Sequence, residues 1–386
     1  MRIRKVHLEN WKNFLEVDIE LGARAFFVGP NAAGKSNLLD AFRFMADIVK
    51  PGGGLQRAIT SRGGMQKIRC LGARSSTIVL EFELVKAGGK PAWTYHLELR
   101  QERSGLKRCL VATERVKREE QTADVLIRPD AEDGEDDLRL TQTNLEQISS
   151  NGDFREIYDL FNSFRYLHIV PQVIKNPDIF ASARVSVEDD VFGLKFLEQV
   201  AKTNAGVRRS RFTKIERLLK IAVPQLGDLT DSIDEMGVPH LELRLENWRP
   251  NAGKQIESQL SDGTLRLIGI LWTILDTKDL LMLEEPELSL HPGIVSRLAP
   301  LIYRVNKSKK EPSQILISTH SPDLLSDRGI GANEIFILCP EKTRTLVKAA
   351  KDIKEVRVLL EQGLSPAEAV LPMSAPAMAD QLSLFE

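Results

Sequence analysis

Three short alternating or apolar runs open the chain. "RIRKVHL", "EVDIEL" (Val17, Ile19 and Leu21 alternating) and "ARAFFV" predict three strands. "GPNAAGKS" at 29–36 follows, and then "NLLDAFRFMADIV", a helical pattern that stops at Pro51 and the glycines after it. "STIVLEFELV", "AWTYHLELR" and "CLVATERVKR" are separated by Gly-rich or charged turns and predict an antiparallel subdomain. "RPDAEDGEDDLR" has no apolar period and reads as a solvated acidic loop. "FRYLHIV" predicts one more strand, ending at Pro171.

From about residue 180 to 225 the period becomes helical. "VRRSRFTKIERLLKIA" places Phe212, Ile215, Leu218, Leu219 and Ala222 on one face, with Arg208, Arg211, Lys214 and other cations largely elsewhere. A solvated basic face is the plain reading; phosphate or DNA contact by Arg208, Arg211 and Lys214 is the sharper one. "HLELRLEN" then predicts a strand. The last third alternates helix and strand: "LIGILWTIL", "LLMLEE", "GIVSRLAPLIYRV", "QILIST", "EIFILCP". Such alternation predicts a parallel α/β sheet. The tail "AVLPMSAPAMADQLSLFE" is rich in Pro, Ala and Ser at its start and is expected to be flexible.

Length and charge narrow the class only a little. At 386 residues, 42% hydrophobic and 28% charged, the chain fits a globular protein with more than one subdomain. The formal net charge of -1 means that any nucleic-acid site must be a local patch. Cys70, Cys109 and Cys339 lie far apart without ligand-like spacing, which argues against a disulfide framework or a zinc site and fits a reducing cytoplasm. No apolar run suggests a membrane span, and none near the N-terminus suggests a leader.

The chemistry sits at the strand ends. "GPNAAGKS" fits G-x-x-x-x-G-K-[ST], with an apolar strand before it and a helix after it. Gly29 and Gly34 let the backbone wrap phosphates, and the amides from Ala32 to Ser36 face an anion at a helix N-terminus, with Asn31, Ala33 and Asn37 completing the loop. Lys35 is expected to reach the β- and γ-phosphates of ATP, and Ser36 to ligate Mg²⁺. In "LLMLEEPELSLHP" an apolar strand ends in Glu284, suited to the metal, and Glu285, suited to orient or deprotonate water. "ILISTHSPDLL" places His320 after a third strand, in reach of a γ-phosphate. "SQLSDGTLR" reads as a helix start capped by Ser261 or Asp262.

Together, "GPNAAGKS", "LSDG", "LLMLEEPE", "LSLHP" and "STH" resemble, in order, the Walker A, signature, Walker B, D-loop and switch motifs of ATP-binding-cassette ATPases. "IRKVHLENWKNF", "EEPELSLHP" and "STHSPDLL" look like the branch containing RecF, the SMC proteins and the ATPase half of OLD nucleases. One departure is that the usual Walker B aspartate is Glu284. The resemblance implies an α/β fold: a P-loop NTPase head of ABC type with an antiparallel β subdomain and a short helical insert. The expected divisions are 1–165 (nucleotide-binding lobe), 166–245 (insert), 246–345 (signature to switch) and 346–386 (C-terminal segment).

It also implies that Leu260, Ser261, Asp262 and Gly263 cap the γ-phosphate bound to a second copy, so that ATP joins a homodimer. The Q-loop position falls at Gln172, a further metal contact. Arg57 and Arg62 read as solvated loop arginines, with phosphate or DNA contact as the alternative. No acidic metal cluster follows His320, so a nuclease acting with this ATPase is expected to be a separate polypeptide. The insert is too short for an extended coiled coil. Gln381, Leu382, Leu384 and Phe385 in "QLSLF" resemble the short peptide by which repair proteins dock on the sliding clamp. Two other readings share parts of this pattern: the ATPase subunit of a membrane transporter, and a nucleotide-gated scaffold.

Overall fold

The computed structural model describes residues 1–86, 88–176, 190–222, 224–246 and 253–374. The chain begins with β1 (Arg2–Trp11), β2 (Phe14–Glu20) and β3 (Arg24–Val28), and then α1 (Lys35–Val49). β4 (Ile78–Val85), β5 (Pro91–Gln101), β6 (Cys109–Arg118) and β7 (Asp124–Arg128) join β1 and β2 in an antiparallel sheet ordered β2-β1-β4-β5-β6-β7. β8 (Arg165–Leu167) leads through α2 (Pro171–Lys175) to α3 (Phe196–Lys202) and α4 (Ala205–Ala222). β9 (Leu226–Ile233), β10 (Pro239–Leu245) and β11 (Gln255–Ile256) form a small sheet of their own. α5 (Asp262–Asp276), β12 (Leu280–Glu284), α6 (Pro292–Lys307), β13 (Gln314–Thr319), β14 (Ile335–Pro340) and β15 (Thr345–Ala349) complete the core.

The central sheet runs β15-β14-β3-β13-β12-β8, parallel except for β15. A parallel sheet is covered on both faces, so its strands read as continuous apolar runs. Side chains of β3 alternate between the two layers. Phe27 joins the core shared with α1 and the antiparallel sheet, whereas Phe26 and Val28 join the one packed on α5 and α6. On that second side Trp272 of α5 meets Phe196 and Phe212, at ring-centroid distances of 6.4 and 5.4 Å, fixing the insert to α5.

Register sets the site. β13 lies between β3 and β12, with Thr319 opposite Val28 and Ser318 opposite Glu284. Three chain segments remote in sequence therefore leave the sheet at one edge.

Two stretches differ from the sequence expectation. Residues 128–139 are not a purely solvated loop: Arg128, Glu114 and Asp133 are buried together, with Arg128 Nη2 2.7 Å from Asp133 Oδ1. Glu114 also accepts from Tyr95 and from the amides of Asn144 and Leu145, at 2.9, 2.7 and 3.0 Å. Composition marked the run as acidic; it could not show that one of its carboxylates is paired inside. Near the other terminus, Pro366–Ser374 is a helix with Ala369 and Val370 buried, so the start of the segment expected to be flexible is helical. Gln381, Leu382, Leu384 and Phe385 lie outside the described residues.

Candidate active site

The loop between β3 and α1 is built around backbone that only small residues tolerate. Gly34, the cap of α1, has φ +95°, and a Cβ there would stand 2.2 Å from Asn13 Nδ2. Asn13 holds the loop from outside. Its Nδ2 donates to the Ala33 carbonyl (3.1 Å) and to Thr345 Oγ1 (2.8 Å), and its Oδ1 accepts from Asn37 Nδ2 (2.8 Å). Ala32 takes φ +64°. Lys35 is buried, and its ammonium donates to the carbonyls of Gly29 (2.9 Å) and Pro30 (3.2 Å), 3.9 Å from Glu285. Burial pulls its pKa down, against the opposing pull of Glu285, Glu287 and Glu284.

At the end of β12, Glu284 is held between two hydroxyls: Ser36 donates to Oε1 and Tyr166 to Oε2. Burial pushes its pKa up, Ser36's hydrogen bond opposes this, and Glu285's charge adds to the rise. The longer arm of this glutamate is thus anchored at both oxygens. Glu285 occupies a left-handed turn (φ +42°), donates its amide to the Ser318 carbonyl (3.0 Å), and brings Oε1 to 3.0 Å from His320 Nδ1. Lys35, Ser36, Glu284, Glu285 and His320 therefore form one connected group.

The signature turn stands apart from that group. Ser261 is the N-cap of α5, its hydroxyl accepting from the Thr264 amide at 3.1 Å. Asp262 receives Gln172 Nε2 and, at 2.6 Å, Lys175 Nζ, both from α2. Gly263 packs against the D-loop, where a Cβ would meet the Ser289 carbonyl at 2.9 Å. Leu260 is buried beneath. Among the described residues no hydrogen bond or ion pair joins residues 260–264 to the P-loop. Gln172 thus faces the signature helix, not Ser36 and Glu284, where a metal contact would need it.

Two of the three basic residues expected at DNA are engaged within the chain. Arg208 pairs with Asp231 (2.9 Å) and donates to the Ala201 carbonyl; Arg211 pairs with Asp276 (2.8 Å) and lies over the Trp272 ring. Both arginines tie α4 to its neighbours and do not present a free cationic face, while Lys214 is exposed. Arg62 is half-buried against Asp40 and Asp47, each at 2.8 Å, and Arg57 is exposed but lies on the short helix Leu55–Thr60, not in a loop. Sequence reading did not find Asn13, Tyr166 or Arg266. The first two carry no motif; Arg266 was visible as a lone charge in the apolar run "TLRLIGILW".

A P-loop, a paired-carboxylate strand end and a switch histidine at one sheet edge, with a separate capped helix carrying the signature, define a P-loop NTPase head of the ABC type. The chain belongs to the family described as "AAA domain, putative AbiEii toxin, Type IV TA system", whose model matches residues 24–326. Among curated proteins, none matches the sequence. Solved structures similar in fold include an Smc head bound to the C-terminal winged-helix domain of ScpA, at TM-score 0.53 and 13% identity, with 90% of this chain and 98% of that one covered. Another is the Smc head with an extended coiled coil, bound to the C-terminal domain of ScpA, derived from Pyrococcus furiosus. Its TM-score is 0.50 at 12% identity, covering 94% of this chain and 99% of that one. At such identities the likeness concerns the fold alone. No helix among the described residues is long and apolar enough to cross a membrane.

Proposed function

We propose that the protein hydrolyses ATP and that ATP joins two copies head to head. One observation carries the reading: a single chain holds a P-loop group and a signature turn that do not meet each other. The P-loop amides and Lys35 would hold the triphosphate, Lys35 leaving the carbonyls it now caps. Ser36 and Glu284 already bring hard oxygen donors together beside a phosphate site, a set that suits Mg²⁺ with phosphate oxygens and water completing its shell. That ion would neutralise charge developing on the phosphates. Glu285, oriented by His320, takes a proton from water as the water attacks the γ-phosphorus and ADP leaves. Ser261 and the amide of Gly263 supply a second anion-binding helix end for the partner's γ-phosphate.

The role that fits such a machine is control of DNA engagement, or of a separately encoded effector nuclease, in DNA repair, DNA maintenance or defence against phage. The order of motifs and their RecF-, SMC- and OLD-like spelling support this reading. The "QLSLF" segment supports recruitment through a sliding clamp. Sedimentation of Glu285→Gln with ATP and Mg²⁺ tests the dimer: the variant should accumulate it, and a monomer at saturating nucleotide would refute it. A peptide of residues 376–386 should bind the clamp, and Leu384→Ala with Phe385→Ala should abolish binding.

A further inference from the structure

Four buried side-chain polar atoms lack a partner among the described residues, and three of them surround the Glu285 turn: Arg266 Nε, Glu287 Oε2 and Ser318 Oγ. Buried unpaired donors and acceptors are rare in native proteins and call for an explanation. Arg266 lies on the second turn of α5 and is 4% exposed. Its Nη1 donates to the Glu285 carbonyl at 3.4 Å. Glu287, 7% exposed, accepts from Thr319 at Oε1. Ser318 accepts the Glu285 amide at its carbonyl. The signature helix, the carboxylate turn and the strand leading to His320 therefore meet in one buried polar cluster.

The unpaired atoms are complementary. Arg266 offers a donor that nothing accepts, and Glu287 an acceptor that nothing fills. Burial lowers the pKa of Arg266 against the pull of Glu287, Asp262 and Glu285, and among the described residues Arg266 and Glu287 form no ion pair. A guanidinium fork that holds the Glu285 carbonyl with its Nε unfilled, near a buried turn where the Glu287 carboxylate is also unfilled, has the makings of a two-position element. The helix that carries it begins at Ser261, and its first turn is anchored through Asp262 to Gln172 and Lys175.

We propose that Arg266 is a positioning residue that couples engagement of its chain's signature turn to the placement of Glu285 in the same chain. A partner's γ-phosphate at Ser261 and Gly263 shifts α5, the fork moves from the Glu285 carbonyl onto Glu287, and the turn bearing Glu285 is released to its working position. Hydrolysis at one P-loop then depends on nucleotide held by the same chain's signature turn. The inference rests on the ATP-joined dimer proposed above and names a coupling that the dimer alone does not require.

The test uses full-length protein with Arg266→Met, Arg266→Lys and Glu287→Gln. Nucleotide Kd, kcat, the Hill coefficient for ATP, and dimer formation in a Glu285→Gln background are each measured. Arg266→Met should bind ATP and dimerise within about twofold of its parent, while kcat falls about 10–100-fold, the scale of a misplaced reacting group, and cooperativity is lost. Arg266→Lys should recover part of kcat, and Glu287→Gln should repeat the kcat loss. A kcat unchanged in Arg266→Met, or a rise in Kd accompanying the fall in kcat in all three variants, would overturn the coupling and leave a structural arginine. If Arg266→Met does not fold, the Lys and Gln variants decide alone. Wild-type protein without ATP turnover would instead overturn the hydrolytic reading itself.

Discussion

Ser261→Asp separates two duties that one serine combines. Within a single chain, the Ser261 hydroxyl caps α5 by accepting from the Thr264 amide at 3.1 Å. Aspartate caps about as well as serine, so unfolding stability should change by no more than about 0.5 kcal/mol, against about 1 kcal/mol lost in Ser261→Ala. The neighbouring Asp262 adds some repulsion, offset by Lys175, whose ammonium already lies 2.6 Å from it. Across the proposed dimer the same change sets a carboxylate against a γ-phosphate. At about 4 Å, two like unit charges repel by about 1 kcal/mol in water and about 4 kcal/mol at the dielectric of a protein surface. A symmetric dimer holds two such contacts, so dimerisation should weaken by at least about 25-fold, at about 1.4 kcal/mol per factor of ten. Urea unfolding gives the first quantity, and sedimentation of Glu285→Gln with and without Ser261→Asp, at saturating ATP and Mg²⁺, gives the second. A Ser261→Asp protein that dimerises as tightly as its parent would refute the trans contact; one destabilised well beyond the alanine variant would refute the capping argument.

Three other outcomes follow from the same geometry. Gly34→Ala should abolish tight binding of a fluorescent ATP analogue, because the new Cβ meets Asn13 and φ +95° adds about 1–3 kcal/mol of strain; adding Asn13→Ala should not restore binding, since the strain remains. Arg128's hydrogen bond holds Asp133 down from 3.8 to about 2, so the pair stabilises the fold above about pH 4 and loses that contribution as pH falls toward 2. Asp133→Asn should cost about 3–5 kcal/mol at neutral pH and flatten the acid limb of melting temperature against pH. Arg208→Ala and Arg211→Ala should each lower the urea midpoint, whereas Lys214→Ala should shift stability by less than about 0.5 kcal/mol.

Much of the nucleotide edge was legible because its parts are local. A strand buried on both faces reads as an uninterrupted apolar run, and the residues that matter sit at or just past the ends of β3, β12 and β13: Gly29, Glu284 and His320. What escaped notice depends on pairings between distant segments. The wheel of α4 showed which side was apolar, but not that Asp231 and Asp276 would face Arg208 and Arg211. β9, "LGDLTDSI", carries too little alternation to mark a strand, and it forms because β10 pairs with it. Tyr166 looked like one more strand aromatic; only β8 lying beside β12 brings its hydroxyl to Glu284.

The placing of β13 between β3 and β12 has a consequence for how the protein is made. β3 ends at Val28, but the strand that fills the gap beside it ends at Thr319. At about 5–20 residues per second, a ribosome needs about 15–60 s to cover that interval. Throughout it, "RAFFV" leaves the tunnel with both hydrogen-bonding edges open, since its other neighbour, β14, comes later still. The antiparallel sheet can close meanwhile, because β1, β2 and β4–β7 all precede residue 129. The P-loop sequence thus emerges early and its site assembles late. Nucleotide cannot nucleate folding of the nascent chain, and a product stopped short of residue 319 would expose an unpaired apolar strand to the cell's chaperones.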